Sequence, residues 1–134
     1  MAKQIFVNIP VTNLDKSIAF YKHLGFSFNQ QFTNEKATCM VISEHIMVML
    51  LSNEFFQTFT PKPIADAKTS TSVIICISAE SREEVDRYVK LAIEAGGKAD
   101  VPKQDLGWMY GHGFEDLDGH MWELSYMDMS AVPQ

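Results

Sequence analysis

Cysteine is scarce in this chain: Cys39 and Cys76 are its two representatives among 134 residues. Each lies in an apolar, strand-like segment, and their spacing fits no zinc motif, so both are expected to be buried, reduced thiols. Arginine is as rare, with Arg82 and Arg87 alone. The 11 Lys and Arg are scattered against 17 Asp and Glu, giving a formal net charge of −6. Nucleic acid needs clustered cations to neutralise phosphates, so this balance excludes it as a partner. Long hydrophobic runs are missing too. The longest, Ile46–Leu51 and Val73–Ile77, fall far short of the roughly 20 residues that span a bilayer, so no membrane partner is expected. At the start, Met1-Ala2-Lys3-Gln4 leads into an apolar run that stops at Pro10. That is no signal-peptide core, and a cytoplasmic location is expected.

What the chain does contain is 46% apolar residues, enough for one compact domain with a core. Their placement repeats. Ile5–Val11 reads as a strand. Thr12 or Asn13 then caps a helix with Leu14, Ile18, Tyr21 and Leu24 on one face, ended by Gly25. Phe26–Phe32, Ala37–Ser43 and Ile46–Ser52 read as three further strands, the last two joined by a turn at Ser43-Glu44-His45.

The second half follows the same order. Ser72–Ser78 reads as a strand, and Ser81-Arg82-Glu83-Glu84 as a capping box opening a helix lined by Val85, Val89 and Ile93. Gly96-Gly97 stops that helix, and Lys98–Val101, Trp108–Glu115 and His120–Tyr126 read as strands. The expected organisation is one domain over 1–134, with module 1 at 3–52, a connecting segment at 53–69 and module 2 at 70–127. The connecting segment begins with a short helix exposing Phe55, Phe56 and Phe59 before Pro61 and Pro63 break it. A βαβββ module cannot bury both faces of its sheet alone; a duplicated pair can bury the open face or enclose a ligand with it.

The stretch "FEDLDGHMWEL" at 114–124 carries the densest polar chemistry. It is no EF-hand loop: Phe114 stands where an oxygen ligand is needed and Ser125 where the closing Glu belongs. Asp118-Gly119 suits a tight hairpin turn instead. Alternation along a strand sends His120 and Glu123 to opposite faces, so they are not partners. A loop of two residues pairs Phe114 with Glu123, and one of four pairs His112 with it. Either register gathers Tyr110, His112, Phe114, Met121, Glu123 and Ser125 on one face and turns Trp122 and Leu124 to the other. Glu123, flanked by His112 and Tyr110, is then expected to be a carboxylate in a cavity wall, suited to acid–base work; the alternative is a carboxylate on an exposed sheet face. His23, His45 and His120 are expected at solvated or capping positions. Met47, Met49, Met109 and Met121 are expected to fill core, or to line a pocket for a flexible apolar ligand.

The duplicated order, "VTNLDKSIAFYKHLGF" (11–26) and "FEDLDGHMWEL" together resemble the vicinal-oxygen-chelate superfamily, which includes glyoxalase I, bleomycin-resistance proteins and extradiol dioxygenases. "FVNIPV", "FTPK" and "FEDLDGHMWE" resemble more narrowly the bacterial group called predicted lactoylglutathione lyases. The resemblance implies an α+β fold in which two tandem βαβββ modules form a curved mixed sheet around a cavity, lined here by Phe6, Asn8, Val48, Leu50, Phe114, Met121 and Ser125. It also implies a homodimer. Metal-dependent relatives take two ligands from each half. Carried over, these fall at Phe6, at about Val48, at Ser72 or Val73, and at Glu123, of which Glu123 alone is an ordinary ligand. No cofactor is therefore expected, and a divalent metal is disfavoured.

Three functions follow. One is a metal-independent protein holding a small, partly apolar molecule, as in the bleomycin-resistance branch. Another is an isomerase or lyase of the lactoylglutathione lyase type, with Glu123 as acid or base, helped by His112, Tyr110 or Asn8, or with Glu123 as the sole retained metal ligand. The last is a metal enzyme with a relocated site. Glutathione adducts carry carboxylates that Arg or Lys clamp. With Arg82 and Arg87 both expected on the outside of the second helix, glyoxalase I chemistry would need an unconventional site.

Overall fold

The computed structural model describes residues 2–133. It resolves into two compact units, one running through Ala65 and one beginning at Asp66. The boundary thus lies inside the expected connecting segment, whose last residues join the second unit.

The first unit runs β1 (Ile5–Val11), α1 (Leu14–His23), β2 (Ser27–Asn29), β3 (Ala37–Ser43) and β4 (Ile46–Ser52), followed by the short α2 (Asn53–Phe56). Asn13 caps α1, its side chain accepting from the Lys16 backbone N–H at 3.0 Å. Gly25 then leaves the helix at a φ of 101°, a backbone that L side chains rarely adopt. The strand expected over Phe26–Phe32 is shorter, because Gln30–Phe32 winds into a 3₁₀ turn capped by Asn29. The sheet order is β1-β4-β3-β2, with β1 parallel to β4 and the other pairs antiparallel. Val11, Phe20, Tyr21, Leu24, Met40 and Val48 are buried at its core.

The second unit repeats this plan with β5 (Ile74–Ser78), α3 (Arg82–Glu94), β6 (Gln104–Asp105), β7 (Met109–Glu115) and β8 (Met121–Met127). Its order is β5-β8-β7-β6, and β5 is again parallel to β8. The α+β fold of two tandem βαβββ modules is as expected from the sequence, with the strands in two separate four-stranded mixed sheets.

Ser81 caps α3 by accepting from the Glu84 N–H. The return bond of the capping box shifts by one residue, with the Glu84 carboxylate accepting from the Glu80 N–H at 2.9 Å. Val85, Val89 and Ala92 form the buried face of α3. Ile93 was expected there, but it is 52% exposed, because 3.6-residue periodicity from Val85 and Val89 lands on Ala92. Lys98–Val101 is not a strand; it contributes a single bridge from Lys98 to Glu115, and the edge strand forms at Gln104–Asp105.

Candidate functional site

The hairpin that carries Glu123 closes between Glu115 and Met121, so its loop is five residues long. Asp116 makes that loop. Its Oδ1 accepts from the backbone N–H groups of Asp118 (3.0 Å) and His120 (2.9 Å), while its own N–H donates to the His120 carbonyl at 3.0 Å. Gly119 completes the turn with a φ of 90°.

An odd loop has a large consequence. Loops of two and four residues share one parity, and a five-residue loop takes the other, which exchanges the faces of β7 relative to β8. Gly113 therefore pairs with Glu123, Phe114 with Trp122, His112 with Leu124 and Tyr110 with Tyr126. The expected grouping of Tyr110, His112 and Phe114 with Glu123 is corrected: all three register on the face opposite to it. Phe114 stacks on Trp122 at 6.2 Å between ring centroids. Tyr110 is buried and donates its hydroxyl to Asp86 of α3 at 2.6 Å. That bond first, and burial second, raise the Tyr110 phenol above its ordinary pKa. Met121 and Ser125 do share the face of Glu123, as expected from alternation along β8.

The face around Glu123 is thus assembled from different residues. Cys76 pairs with it from β5 and Gly113 from β7. The Cys76 thiol donates to Glu123 Oε1 at 3.7 Å. Partial desolvation of the sulfur by its neighbours in the sheet, and after it the charge of Glu123, push that thiol above its usual pKa although the residue as a whole is exposed. Cys76 was expected to be buried, yet it is exposed while Cys39 is buried, because β5 leaves the face of Cys76 uncovered. Reading apolar neighbours alone could not have paired Cys76 with Glu123; the parallel pairing of β5 and β8 does so.

A cleft with about 540 Å³ of empty space, part of it open to solvent, lies over this face. Ile74, Val101, Pro102 and Met121 give it apolar walls, and Gln104 and Glu123 give it polar ones. Glu123 itself is half-buried. His112 and Phe114 border the cleft as chain neighbours of its two glycines. His112 does not stand beside the carboxylate as an acid or base. Its Nε2 lies 3.1 Å from the Val101 carbonyl, an acceptor that requires Nε2 to carry the proton. His112 ties the wall segment of the cleft to β7. Tyr110 and Ser125 are not among the residues lining the cleft.

In the first unit the expected cavity group divides. Phe6 pairs with Met47 and Asn8 with Met49, both with exposed β1 side chains. Val48 and Leu50 register instead with Val7 and Ile9 and are fully buried. They belong to the core, not to a cavity. Met47 and Met49, rather than Val48, take the face that Phe6 and Asn8 take. The third ligand position is corrected as well: Ser72 and Val73 precede β5, and the residues facing Glu123's side of the sheet are Ile74 and Cys76.

These donors do not suit a divalent metal. A thioether, a phenyl ring and an aliphatic side chain offer nothing to a hard ion. Among the described residues, no group of three His, Cys, Asp or Glu is placed to hold one. Glu123 and Cys76 make two donors of different softness, short of the three or four protein ligands of a catalytic site.

The sequence matches, over residues 3–124, the family described as the Glyoxalase/Bleomycin resistance protein/Dioxygenase superfamily. No curated protein matches it. Among solved structures, a hypothetical protein of S. aureus is 31% identical, with a TM-score of 0.79 and 94% of each chain covered. A glyoxalase-related enzyme of Fulvimarina pelagi is 16% identical at a TM-score of 0.79, covering 94% of this chain and 88% of the other. A lactoylglutathione lyase of Agrobacterium tumefaciens is 13% identical at a TM-score of 0.68, with 98% of each chain covered. The last two likenesses are of fold.

Proposed function

This chain belongs to the glyoxalase/bleomycin resistance protein/dioxygenase superfamily, and from that premise we propose that it holds a small, partly apolar molecule on the Glu123 face of its second module, without the four-ligand metal site of its metal-dependent relatives. One observation carries this reading: a cleft walled by Ile74, Val101, Pro102 and Met121 holds the half-buried Glu123 carboxylate among its charged groups. Apolar walls with few polar groups are the usual make-up of a small-molecule site. The reading takes residues 1–134 as one functional domain in a cytoplasmic homodimer, whose dimeric state sedimentation of the purified chain checks.

The test uses N-phenyl-1-naphthylamine, a neutral apolar fluorophore. Its emission is expected to rise saturably on binding, and an Ile74→Trp variant, which fills the cleft from a 53% exposed position, is expected to abolish the rise without lowering the melting temperature. Undiminished binding by Ile74→Trp sinks the proposal.

A second reading rests on the Cys76–Glu123 contact, which leaves the carboxylate positioned to move a proton at a bound carbonyl compound. In this reading the protein is an isomerase or lyase of the lactoylglutathione lyase type. Turnover of the hemithioacetal of methylglyoxal and glutathione that disappears in Glu123→Gln, with fluorophore binding retained, would select it over simple binding.

A further inference from the structure

Two glycines share the face of Glu123 on β7, and they are there for different reasons. Gly113 pairs directly with Glu123, and a Cβ placed on it would collide with the Trp122 carbonyl oxygen. The backbone itself forbids a side chain at that position. A Cβ on Gly111 would instead sit 3.5 Å from the Leu124 carbonyl oxygen and from Met109 Sδ, and 3.9 Å from Glu123 Oε1. Those are ordinary contacts, so the fold tolerates a side chain there, and Gly111 lines the cleft.

Gly111 pairs with Gln104 on one side and Ser125 on the other. Neighbouring strands lie about 4.8 Å apart, so from β6 to β8 the bare backbone of β7 floors a slot about 10 Å wide. Gln104 borders the slot on one side and Glu123 on the other. Three carboxylates, Asp100, Glu115 and Glu123, line the cleft against the single ammonium of Lys98. A floor to which Gly111 and Gly113 add no side chain suits a flat group, and the excess of carboxylates suits one that donates hydrogen bonds or carries positive charge.

We infer that Gly111 is a specificity-determining residue, holding open a slot in which a planar, hydrogen-bond-donating group such as an amidine or aminoheterocycle meets the Glu123 carboxylate. This rests on the cleft being the ligand site, and it adds which chemistry enters and which residue admits it. Side chains at 111 exclude the ligand by occupying its volume, and the exclusion grows with their size. Glu123 supplies the acceptor and Gln104 a second polar edge.

Benzamidine, planar and cationic, is the probe, and cyclohexylmethylamine, equally charged but not planar, is its control. Each is titrated into the ¹⁵N-labelled full chain and into Gly111→Ala, Gly111→Val and Glu123→Gln, with melting temperatures measured alongside. Benzamidine is expected to shift amide signals of residues 98–104 and 111–113 saturably and to bind more tightly than the control. Gly111→Ala is expected to weaken it several-fold and Gly111→Val about tenfold or more. Should Gly111→Val fail to fold, Gly111→Ala, whose added atom meets ordinary contacts, carries the test. Equal binding of benzamidine by the wild type and the folded 111 variants overturns the inference, as does equal binding of the two cations. If N-phenyl-1-naphthylamine occupies the cleft while benzamidine does not bind, this inference falls and the cleft reading stands. If neither binds, both fall.

Discussion

Asp116 shows how much a single side chain decides in this protein. The residue is 6% exposed, and its carboxylate holds two backbone N–H groups of the loop. Replacing it by Ala leaves those donors without their acceptor, at a cost of about 1–3 kcal/mol. Urea denaturation is expected to show that loss for Asp116→Ala and a smaller one for Asp116→Asn, which keeps an acceptor oxygen. Gly119 is equally constrained. Its φ is +90°, and a Cβ would come within 2.8 Å of the Ala67 carbonyl oxygen and the Lys68 nitrogen. Gly119→Ala is expected to lower the melting temperature by several degrees, and Gly111→Ala to leave it nearly unchanged, because backbone cannot move aside as a flexible side chain can. The sequence names Asp118-Gly119 as the turn, and Gly119 is indeed where the chain needs positive φ. The part played by Asp116 was not legible, since Asp residues two apart look alike until the loop length is known.

At the scale of elements, the β7–β8 hairpin and the start of α3 set the site. The odd loop decides which β7 residues look at Glu123, and so replaces His112 and Tyr110 by Gly111 and Gly113. At the start of α3, Arg82 makes a bidentate pair with Asp105, at 2.8 and 3.1 Å, and donates to the Gly107 carbonyl at 3.0 Å. It thereby ties the β6–β7 connection, next to Gln104 of the cleft, to the helix. Hydrogen bonds from Arg82 first, and from the Gly107 N–H second, lower the Asp105 carboxyl to about 2 from 3.8. A depressed carboxyl stabilises the fold above its unfolded pKa and loses that effect as pH falls toward the folded one. The denaturation midpoints of wild type and Arg82→Gln are therefore expected to differ by a constant amount above about pH 5 and to converge between 3.8 and about 2. Added salt is expected to shrink the difference, because the pair faces solvent. A gap that stays unchanged below pH 2 would show that Arg82 acts through its bond to the Gly107 carbonyl and its packing rather than through its charge pair with Asp105.

For the whole molecule, duplication is the governing fact. Each half packs its helix on one face of its sheet, and in the second half a cleft lies over the other face. That second face carries Phe6, Asn8, Met47 and Met49 in the first module and Ile74, Cys76, Met121 and Glu123 in the second. This donor set leads to the expectation that EDTA changes neither the melting temperature nor fluorophore binding, and that elemental analysis finds no stoichiometric Ni, Zn or Fe. A stoichiometric metal lost together with binding in Glu123→Gln would reverse the assignment.

The sequence by itself determined the two βαβββ modules, their helix caps and stops, and the burial of Trp122 and Leu124. These follow from local periodicity and capping chemistry, which a few neighbouring residues suffice to express. Only the tertiary structure decided what stands beside Glu123. Side chains on a strand alternate, so a change of one residue in loop length turns every partner over. It also took strand pairing to bring Cys76, 47 residues away, against the carboxylate, and a backbone approach to separate the glycine the fold requires from the one the cleft requires.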